Sequence, residues 1–251
     1  MYVTFIGCGD AFAKELGNNS ALVEFGETNL LIDIPDSNYM QMHKVGRDYS
    51  DIQNLFISHL HGDHINGLER FAYYRTFATP VVRPNESFQK PNLYVPETLY
   101  MGLWDAVKNG LGITVDGFKT LEDYFTVHLI PFRNGIGSFT IEGVNFELVE
   151  TDHVPNMNVY GLLVDGEFYY SADSTFQPDT LYRLLPRVKK VFHDIHFLEA
   201  DLAAHASVRD FTDLQPNEKE KIYAMHYNES HLDIQEVDGI KLVKPGKTIS
   251  I

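Results

Sequence analysis

The sequence predicts an α/β fold with mixed β-sheets in a single domain. Three observations indicate this class. Apolar segments of strand length alternate with segments of helical spacing, several consecutive strands are joined by short hairpin turns, and no repeat or flexible linker divides the 251 residues. Interleaved helices favour parallel strand pairing whereas hairpins require antiparallel pairing, so we expect both kinds in the same sheets.

The N-terminal part of the chain begins with three predicted strands. Residues 2–6 form a short apolar run, and residues 21–25 and 29–34 are two apolar runs joined by a glycine-containing turn, which predicts a hairpin. Residues 55–58 are typical of a short buried strand. Residues 65–77 have apolar side chains at helical spacing, which predicts one helix there.

The rest of the chain is a less regular middle region followed by more strands. Residues 82–132 contain a predicted helix at 97–109 within loops rich in proline and glycine. Later strands are predicted at 139–142, 145–149, 159–164, 168–170, 191–192 and 222–225. Asp165 and Gly166 are typical of a two-residue hairpin turn. We also expect a hairpin over residues 241–251 that turns at Pro245 and Gly246.

Composition excludes several classes of protein. Lys and Arg number 20 against 35 Asp and Glu, a formal charge of −15, which argues against a large footprint on nucleic acid. The single cysteine, Cys8, can form no internal disulfide, which favours a reducing compartment. No stretch approaches the roughly 18 apolar residues of a membrane helix, so we expect no membrane association and a cytoplasmic location.

The most informative segment has the sequence Ser-His-Leu-His-Gly-Asp-His and ends at His64. It places His59, His61, Asp63 and His64 directly after a predicted buried strand and before a predicted helix. Imidazoles and carboxylates are common ligands of zinc and related ions. These residues could instead be loop and helix-cap side chains in a chain with 11 histidines, but four ligand-type residues clustered at a strand end favour a metal site.

This segment resembles the His-x-His-x-Asp-His motif of the metallo-β-lactamase fold superfamily. The resemblance implies an αββα sandwich, in which two mixed β-sheets are flanked by helices. It also implies further ligands at the ends of later strands, and His153, Asp173 and His226 stand at such positions in the order that the superfamily uses. Any one of these three residues alone would more often be structural.

The resemblance implies a site for two divalent ions, zinc first and manganese or magnesium as alternatives. His59, His61 and His153 would hold one ion, and Asp63, His64 and His226 the other, with Asp173 between them. Two ions roughly 3.5–4 Å apart activate water and stabilise both the attacking and the leaving oxygen. The arrangement does not fix the substrate, because this fold hosts several hydrolytic reactions.

Flanking segments resemble the ribonuclease Z branch of the superfamily, which acts on phosphodiesters. These segments are Gly7-Cys-Gly-Asp-Ala-Phe12 with Gly17-Asn-Asn-Ser-Ala21, Phe192-His-Asp-Ile-His196, and Ala204-His-Ala-Ser207. The likeness implies that Asn19 and His205 bind substrate, that His205 donates a proton to the leaving oxygen, and that Asp194 fixes its tautomer. His205 could also be a surface residue, and His193 and His196 are interpreted as ordinary structural residues.

The chain departs from ribonuclease Z because it lacks room for a tRNA-gripping arm. Only 19 residues separate His153 from Asp173, and the predicted hairpin occupies most of them. Compact chains of this pattern resemble the phage anti-Pycsar phosphodiesterases, which implies hydrolysis of small 3′,5′-cyclic mononucleotides in the host cytoplasm. A ribonuclease Z-like RNA endonuclease without the arm, a lactam or thioester hydrolase, and a non-enzymatic metal-binding protein are the alternatives.

The resemblance also implies a homodimer, since the anti-Pycsar relatives complete their pocket with a segment of the neighbouring subunit. Residues 82–132 are interpreted as a lid or dimerisation insertion, because they carry more aromatic residues than one helix needs. The aromatic residues of this region that we single out are Phe88, Tyr94, Tyr100, Trp104, Phe118 and Tyr124. The region could instead fold back over its own core.

Overall fold

The computed structural model of the protein describes residues 1–85 and 89–251. Its strands, in chain order, are β1 (Tyr2–Gly7), β2 (Ser20–Phe25), β3 (Thr28–Ile32), β4 (Asn54–Phe56), β5 (Asn92–Pro96), β6 (Ile113–Thr114), β7 (Gly117–Phe118), β8 (Thr126–Ile130), β9 (Ser138–Ile141), β10 (Val144–Glu150), β11 (Tyr160–Val164), β12 (Phe168–Tyr170), β13 (Lys190–Asp194), β14 (Ile222–Met225), β15 (Glu236–Val237), β16 (Ile240–Leu242) and β17 (Thr248–Ser250). The helices are α1 (Asn38–Lys44), α2 (Gly62–Ile65), α3 (Leu68–Tyr73), α4 (Thr79–Val82), α5 (Glu97–Leu111), α6 (Leu121–Tyr124), α7 (Pro178–Leu184) and α8 (Pro216–Lys219).

Fifteen of these strands form two large mixed sheets. The first sheet has the order β17-β1-β2-β3-β4-β5-β8, and the second has the order β15-β16-β14-β13-β12-β11-β10-β9. In the first sheet β3, β4, β5 and β8 are parallel and the pairs at the β1 side are antiparallel. In the second sheet β12, β13, β14 and β16 are parallel and the remaining pairs are antiparallel. The predicted α/β class with mixed sheets is confirmed.

The core lies where the two sheets face each other. Phe5 of β1 meets Phe192 of β13 with 5.3 Å between ring centroids, and Phe25 of β2 meets Phe146 of β10 at 5.6 Å. All four side chains are buried. Aromatic pairs at such distances add stabilisation to that of the apolar area they bury, so these contacts fix the position of one sheet against the other.

Helix α5 matches the predicted helix and extends two residues beyond it. Its buried side chains recur at every fourth position, namely Leu99, Leu103, Val107 and Leu111. This spacing forms one apolar face, and the helix packs with it against β5 and β8 of the first sheet.

The prediction of one unbroken helix over residues 65–77 is wrong. The chain forms α2, then α3, and then a π-helical turn at Tyr74–Ala78 before α4. The break between α2 and α3 falls at Gly67, whose amide donates to the Ile34 carbonyl at 2.8 Å. A Cβ atom at Gly67 would lie only 2.4 Å from the Pro35 carbonyl oxygen, so glycine is required for this close approach.

The hairpin predicted for residues 241–251 is also wrong. β16 pairs with β14 and β15 in the second sheet, whereas β17 pairs with β1 in the first sheet. The turn at Gly246, which has a φ of 74°, carries the chain from one sheet to the other, and the Gly246 amide donates to Phe5. Alternating apolar residues predict that a segment is a strand, but they do not identify the strand with which it pairs.

Much of the middle region is part of the body of the fold. Residues 82–132 include β5 and β8 of the first sheet, and Tyr94 and Tyr124 are buried. Tyr100 and Trp104 pack against the core from α5, and Phe88 lies outside the described residues. Phe118 is 89% exposed, in the small separate hairpin formed by β6 and β7. A role as a lid or dimerisation segment therefore remains a prediction only for the β6–β7 hairpin, and not for the whole of residues 82–132.

The turn at Asp165 and Gly166 is the predicted hairpin turn between β11 and β12. Both residues have positive φ angles, 50° and 68°, as a type I′ turn requires. In the described ranges, no helix has the length and apolar character needed to cross a membrane.

Candidate metal centre

The first group of candidate ligands lies between β4 and α3. After β4 the chain continues through His59 to His61, which is extended, and α2 then begins at Gly62. Alternate residues of an extended segment project to the same side, and the rings of His59 and His61 lie 5.0 Å apart. Asp63 and His64 belong to α2, where they lie next to this pair.

The second group comes from the opposite sheet. His153 follows β10, Asp173 follows β12, and His226 follows β14 directly. Ala172 and His226 have φ angles of 56° and 60°, a left-handed conformation that costs free energy for residues other than glycine. The chain thus turns sharply at two strand ends, and these turns place both segments at the centre.

The seven predicted ligands converge into two overlapping groups. His59, His61, His153 and Asp173 form one group, and Asp63, His64, Asp173 and His226 form the other. The ligand-type atoms in each group all lie within 4.8 Å of one another. Asp173 belongs to both groups, which is the shared position predicted for it.

The separations between ligand atoms fit coordination of metal ions. Nε2 of His153 lies 3.1 Å from Nδ1 of His61, and Nε2 of His226 lies 3.5 Å from Oδ2 of Asp63. Nε2 of His64 lies 3.3 Å from Oδ1 of Asp173. Ligands about 2.0–2.2 Å from one tetrahedral ion lie about 3.3–3.6 Å from each other. The separations of 3.3 Å and 3.5 Å fall in this range, and that of 3.1 Å is slightly shorter.

Buried atoms without hydrogen-bond partners provide the second test of fit. Among the described residues, Nε2 of His59, Nε2 of His64 and Oδ1 of Asp173 are buried with no hydrogen bond. A buried polar atom without a partner destabilises the fold by about 1–3 kcal/mol. Nε2 of His64 and Oδ1 of Asp173 lie 3.3 Å apart and offset each other in part, whereas Nε2 of His59 has only Oδ2 of Asp173 at 3.8 Å. A cation between these atoms would be a partner for all of them, and the residues present fit a divalent metal.

Burial and mutual charge set the protonation of the cluster. Burial lowers the pKa of His59 well below its ordinary value, so its imidazole is neutral, as a metal ligand must be. Burial disfavours the charge of Asp173, but His226 and His64 outweigh this effect and hold its pKa well below the usual range. Burial also opposes the charge of His64 and His226, but neighbouring carboxylates, Asp173 foremost, outweigh it and raise the pKa of His64 well above its ordinary value and that of His226 to about 9. The cluster therefore presents a neutral imidazole at His59 and an ionised carboxylate at Asp173, and His64 and His226 would release protons on binding a metal.

Partners outside the cluster orient the ligands. Asp33 accepts hydrogen bonds from the Ser58 amide at 2.8 Å and the Ser58 hydroxyl at 2.7 Å, and its Oδ2 lies 2.7 Å from Nδ1 of His64. Nδ1 of His153 donates to the Ala204 carbonyl at 2.7 Å. Such partners fix the tautomer that leaves the other ring nitrogen free for a metal. Sequence analysis missed Asp33, and the available signal was an ionisable residue inside an apolar strand segment.

The predicted pair of Asp194 and His205 lies beside the cluster. Nδ1 of His205 lies 2.6 Å from Oδ2 of Asp194, which also accepts a hydrogen bond from the Ser174 amide at 3.0 Å. The His205 ring stands 4.9 Å from the rings of both His153 and His226. Burial lowers the pKa of His205, but the hydrogen bond and charge of Asp194 outweigh it and raise that pKa above the ordinary value.

Asn19 does not lie where the prediction placed it. Its side chain is fully buried, and Nδ2 donates to the Tyr170 hydroxyl at 2.8 Å. A substrate cannot reach it in this arrangement, so its predicted direct role in substrate binding is corrected to a supporting contact behind the centre. His193 and His196 are buried on and after β13, consistent with their interpretation as structural residues.

Comparisons with known proteins agree with this architecture. The profile of the family described as anti-Pycsar protein Apyc1 matches residues 1–249. A protein of that name from Paenibacillus harenae is 32% identical over 253 residues, covering 100% of both chains. Another from Bacillus phage vB_BsuM-Goe3 is 36% identical over 241 residues, covering 91% of this chain and 89% of its own.

A solved structure supports the fold. The metallo-β-lactamase fold protein YhfI from Bacillus subtilis superposes with a TM-score of 0.70 at 17% identity, covering 99% of this chain and 98% of that one. At this identity the likeness concerns the fold alone. The predicted metallo-β-lactamase-type sandwich is confirmed.

Proposed function

The chain belongs to the anti-Pycsar Apyc1 family, and on that premise we propose that it is a metal-dependent phosphodiesterase. In this proposal it hydrolyses 3′,5′-cyclic mononucleotides to nucleoside monophosphates in the host cytoplasm and so counters antiphage signalling. The observation that carries the proposal is the pair of ligand groups sharing Asp173, with the paired Asp194 and His205 directly beside them.

The two ligand groups would hold two divalent ions, with zinc the first choice and manganese or magnesium the alternatives. His59, His61 and His153 supply nitrogen ligands to one position, and Asp63, His64 and His226 supply mixed ligands to the other. Bound there, the ions would neutralise the phosphate charge and make water acidic enough to attack phosphorus at neutral pH. This role also explains how an acidic chain can bind an anionic substrate.

His205 is assigned the proton transfer to the leaving group. Asp194 engages Nδ1, so Nε2 is the nitrogen available to face a substrate. Hydrolysis adds one water across a phosphorus–oxygen ester bond, and the departing oxygen needs a proton, which Nε2 of His205 would donate. Asp63, whose side chain is more exposed than those of His64 and His226 beside it, would orient the attacking water with its carboxylate.

Charge and chain length support a small substrate. A surface with a formal charge of −15 repels long polyanions, and between His153 and Asp173 the chain forms only β11 and β12 with their tight turn. There is no arm in that interval to hold a tRNA. These observations weigh against the RNA endonuclease alternative.

The test of the proposed function is a substrate comparison with the metal-loaded protein. Cyclic mononucleotides, a tRNA precursor and a chromogenic β-lactam are incubated with wild type, Asp173→Asn and Asp152→Asn. We expect hydrolysis of the cyclic mononucleotides alone, lost in Asp173→Asn and retained in Asp152→Asn, because Asp152 is exposed. Cleavage of the tRNA precursor or the β-lactam in preference to every cyclic mononucleotide would overturn the proposal.

We further propose that the active unit is a homodimer formed through the β6–β7 hairpin. Ile113, Val115 and Phe118 expose most of their apolar surface on this hairpin. Exposed apolar clusters of this kind mark interfaces, and a two-fold interface lets one segment serve both subunits. Light scattering should give about twice the 28.6 kDa of one chain.

A matched pair of variants tests the dimer. Val115→Asp should yield the monomer, whereas Ile136→Asp, at an exposed apolar position in a different turn, should leave the dimer intact. A wild-type monomer with full activity, or equal dissociation by both variants, would refute the hairpin interface.

A further inference from the structure

The loop that follows β1 is held against the backbone of a candidate ligand. The Cys8 carbonyl accepts a hydrogen bond from the His226 amide at 2.8 Å, and the Asp10 amide donates to the Tyr227 carbonyl at 3.2 Å. Asp10 then closes a turn, because its Oδ1 accepts a hydrogen bond from the Phe12 amide at 2.9 Å. Phe12 therefore lies two residues beyond the point where the loop pairs with the His226 segment.

A carboxylate fixes the other side of this loop. Oε1 of Glu229 accepts hydrogen bonds from three consecutive backbone amides, those of Lys14, Glu15 and Leu16. The distance is 2.5 Å from the Lys14 amide and 3.3 Å from the Leu16 amide. Burial raises the pKa of Glu229, but these backbone hydrogen bonds outweigh it and lower that pKa, which keeps the acceptor ionised. Three amides on one charged oxygen hold the loop in place from its C-terminal side.

The anchored loop exposes a large aromatic side chain. Phe12 is 88% exposed, although the backbone on both sides of it is hydrogen-bonded. Other apolar side chains are partly exposed next to the centre, namely Val154 after His153, and Leu202, whose carbonyl accepts from the His205 amide at 3.4 Å. Exposed apolar side chains thus stand on the segments that adjoin the ligands, and Phe12, on the loop bonded to the His226 segment, is the largest of them.

The geometry points to Phe12 as the platform on which the nucleobase of the substrate stacks. This inference rests on the proposed function, and it assigns a base-binding subsite to the loop of residues 10–16. A nucleotide carries an anionic phosphate at one end and a flat aromatic base at the other, which matches a metal centre whose His226 segment is paired with a loop that exposes an aromatic ring. Stacking of a base on an aromatic side chain requires no base-specific hydrogen bond, so Phe12 would accept different bases.

Glu229 is a positioning residue in this subsite. Its carboxylate touches no reacting atom, and it acts by holding the amides of residues 14–16, which limits the positions open to Phe12. Replacement by alanine would release these amides. Replacement by glutamine keeps an oxygen that can accept the same hydrogen bonds.

The test compares a 3′,5′-cyclic nucleotide with the same cyclic phosphate on 1-O-methylribose, which carries no base. Phe12→Ala should lower the ratio of kcat/KM for the two substrates about 5- to 140-fold, the range for one stacked base. Phe12→Tyr should keep the ratio. The control is Tyr182→Ala, which removes an exposed aromatic side chain from α7 and should change neither kcat/KM.

The possible failures are distinguishable. If wild type hydrolyses the cyclic nucleotide but Phe12→Ala leaves the ratio unchanged, the subsite is wrong and the proposed function stands. If wild type hydrolyses neither substrate, the proposed function fails and the subsite with it. Dissociation of a wild-type dimer by Phe12→Ala in light scattering would make Phe12 an interface residue and overturn the subsite.

Hydrogen exchange tests the positioning role separately. Glu229→Ala should speed exchange of the amides of residues 14–16 and lower the same substrate ratio, while Glu229→Gln should largely restore both. A lower ratio with unchanged exchange at these amides would overturn the role assigned to Glu229.

Discussion

Replacement of Asp33 by asparagine should weaken metal binding, although Asp33 belongs to neither of the two ligand groups that share Asp173. Asparagine has nearly the same shape as aspartate, so the oxygen that accepts from the Ser58 amide can remain. The second oxygen, Oδ2, cannot be replaced in the same way, because it accepts hydrogen bonds from both the Ser58 hydroxyl and Nδ1 of His64. An amide NH₂ at that position would face two donors.

The least costly relief is a change of tautomer in His64. If its proton moves from Nδ1 to Nε2, the ring nitrogen that faces the substituted side chain can accept a hydrogen bond from the new amide, but Nε2 then no longer has a lone pair for a metal. Loss of a carboxylate that orients a ligating histidine costs roughly 10- to 100-fold in metal affinity or activity. We expect a loss of this size in Asp33→Asn, with the fold retained.

The assay measures divalent metal per chain after dialysis against a series of chelator concentrations, together with kcat at saturating metal. Asp36→Asn is the matched control, because Asp36 is exposed and pairs with Arg70 at the surface. Circular dichroism of both metal-free variants checks the fold. Wild-type metal affinity and wild-type kcat in a folded Asp33→Asn protein would refute the reasoning.

Three other predictions concern single side chains. Asp173→Ala should abolish hydrolysis and lower metal content at both positions, because both ligand groups include this carboxylate; elemental analysis that finds wild-type content would contradict the shared role. His205→Ala should lower kcat roughly 10²–10⁴-fold, the range for general acid catalysis, with metal content unchanged, whereas coupled loss of metal would make His205 a ligand. Cys8 should resist thiol reagents in the folded protein and react after denaturation, because burial raises its pKa to about 12; rapid labelling at pH 7 without unfolding would contradict the structure.

The sequence was most informative where chemistry is local. His59, His61, Asp63 and His64 lie within six residues, so their type and spacing indicate a site without knowledge of the fold. The later residues at strand ends could be selected because the resemblance supplied their order. The structure brings all seven together, which is a condition for ligation that the sequence alone could not test.

The sequence was least informative where pairing is long-range. Asp33 appears as one carboxylate in an apolar run, and only the fold brings it to His64, 31 residues away. β17 returns to β1 across nearly the whole chain. Periodicity indicates which side chains are buried, but it carries no information on distant partners. The prediction that Asn19 binds substrate failed for a related reason, because the sequence does not show whether a polar loop residue is buried or exposed.

The two ligand groups take residues from both sheets, and this affects how long the protein survives as well as what it hydrolyses. A metal bound between the sheets would act as a cross-link that exists only in the native chain. A ligand that binds only the native state adds about 2.7 kcal/mol of stability when its free concentration is about 100 times its Kd. Resistance to heat and to proteolysis should therefore rise with free metal in the surroundings. In a metal-starved cell, the chain would be degraded faster as well as being less active.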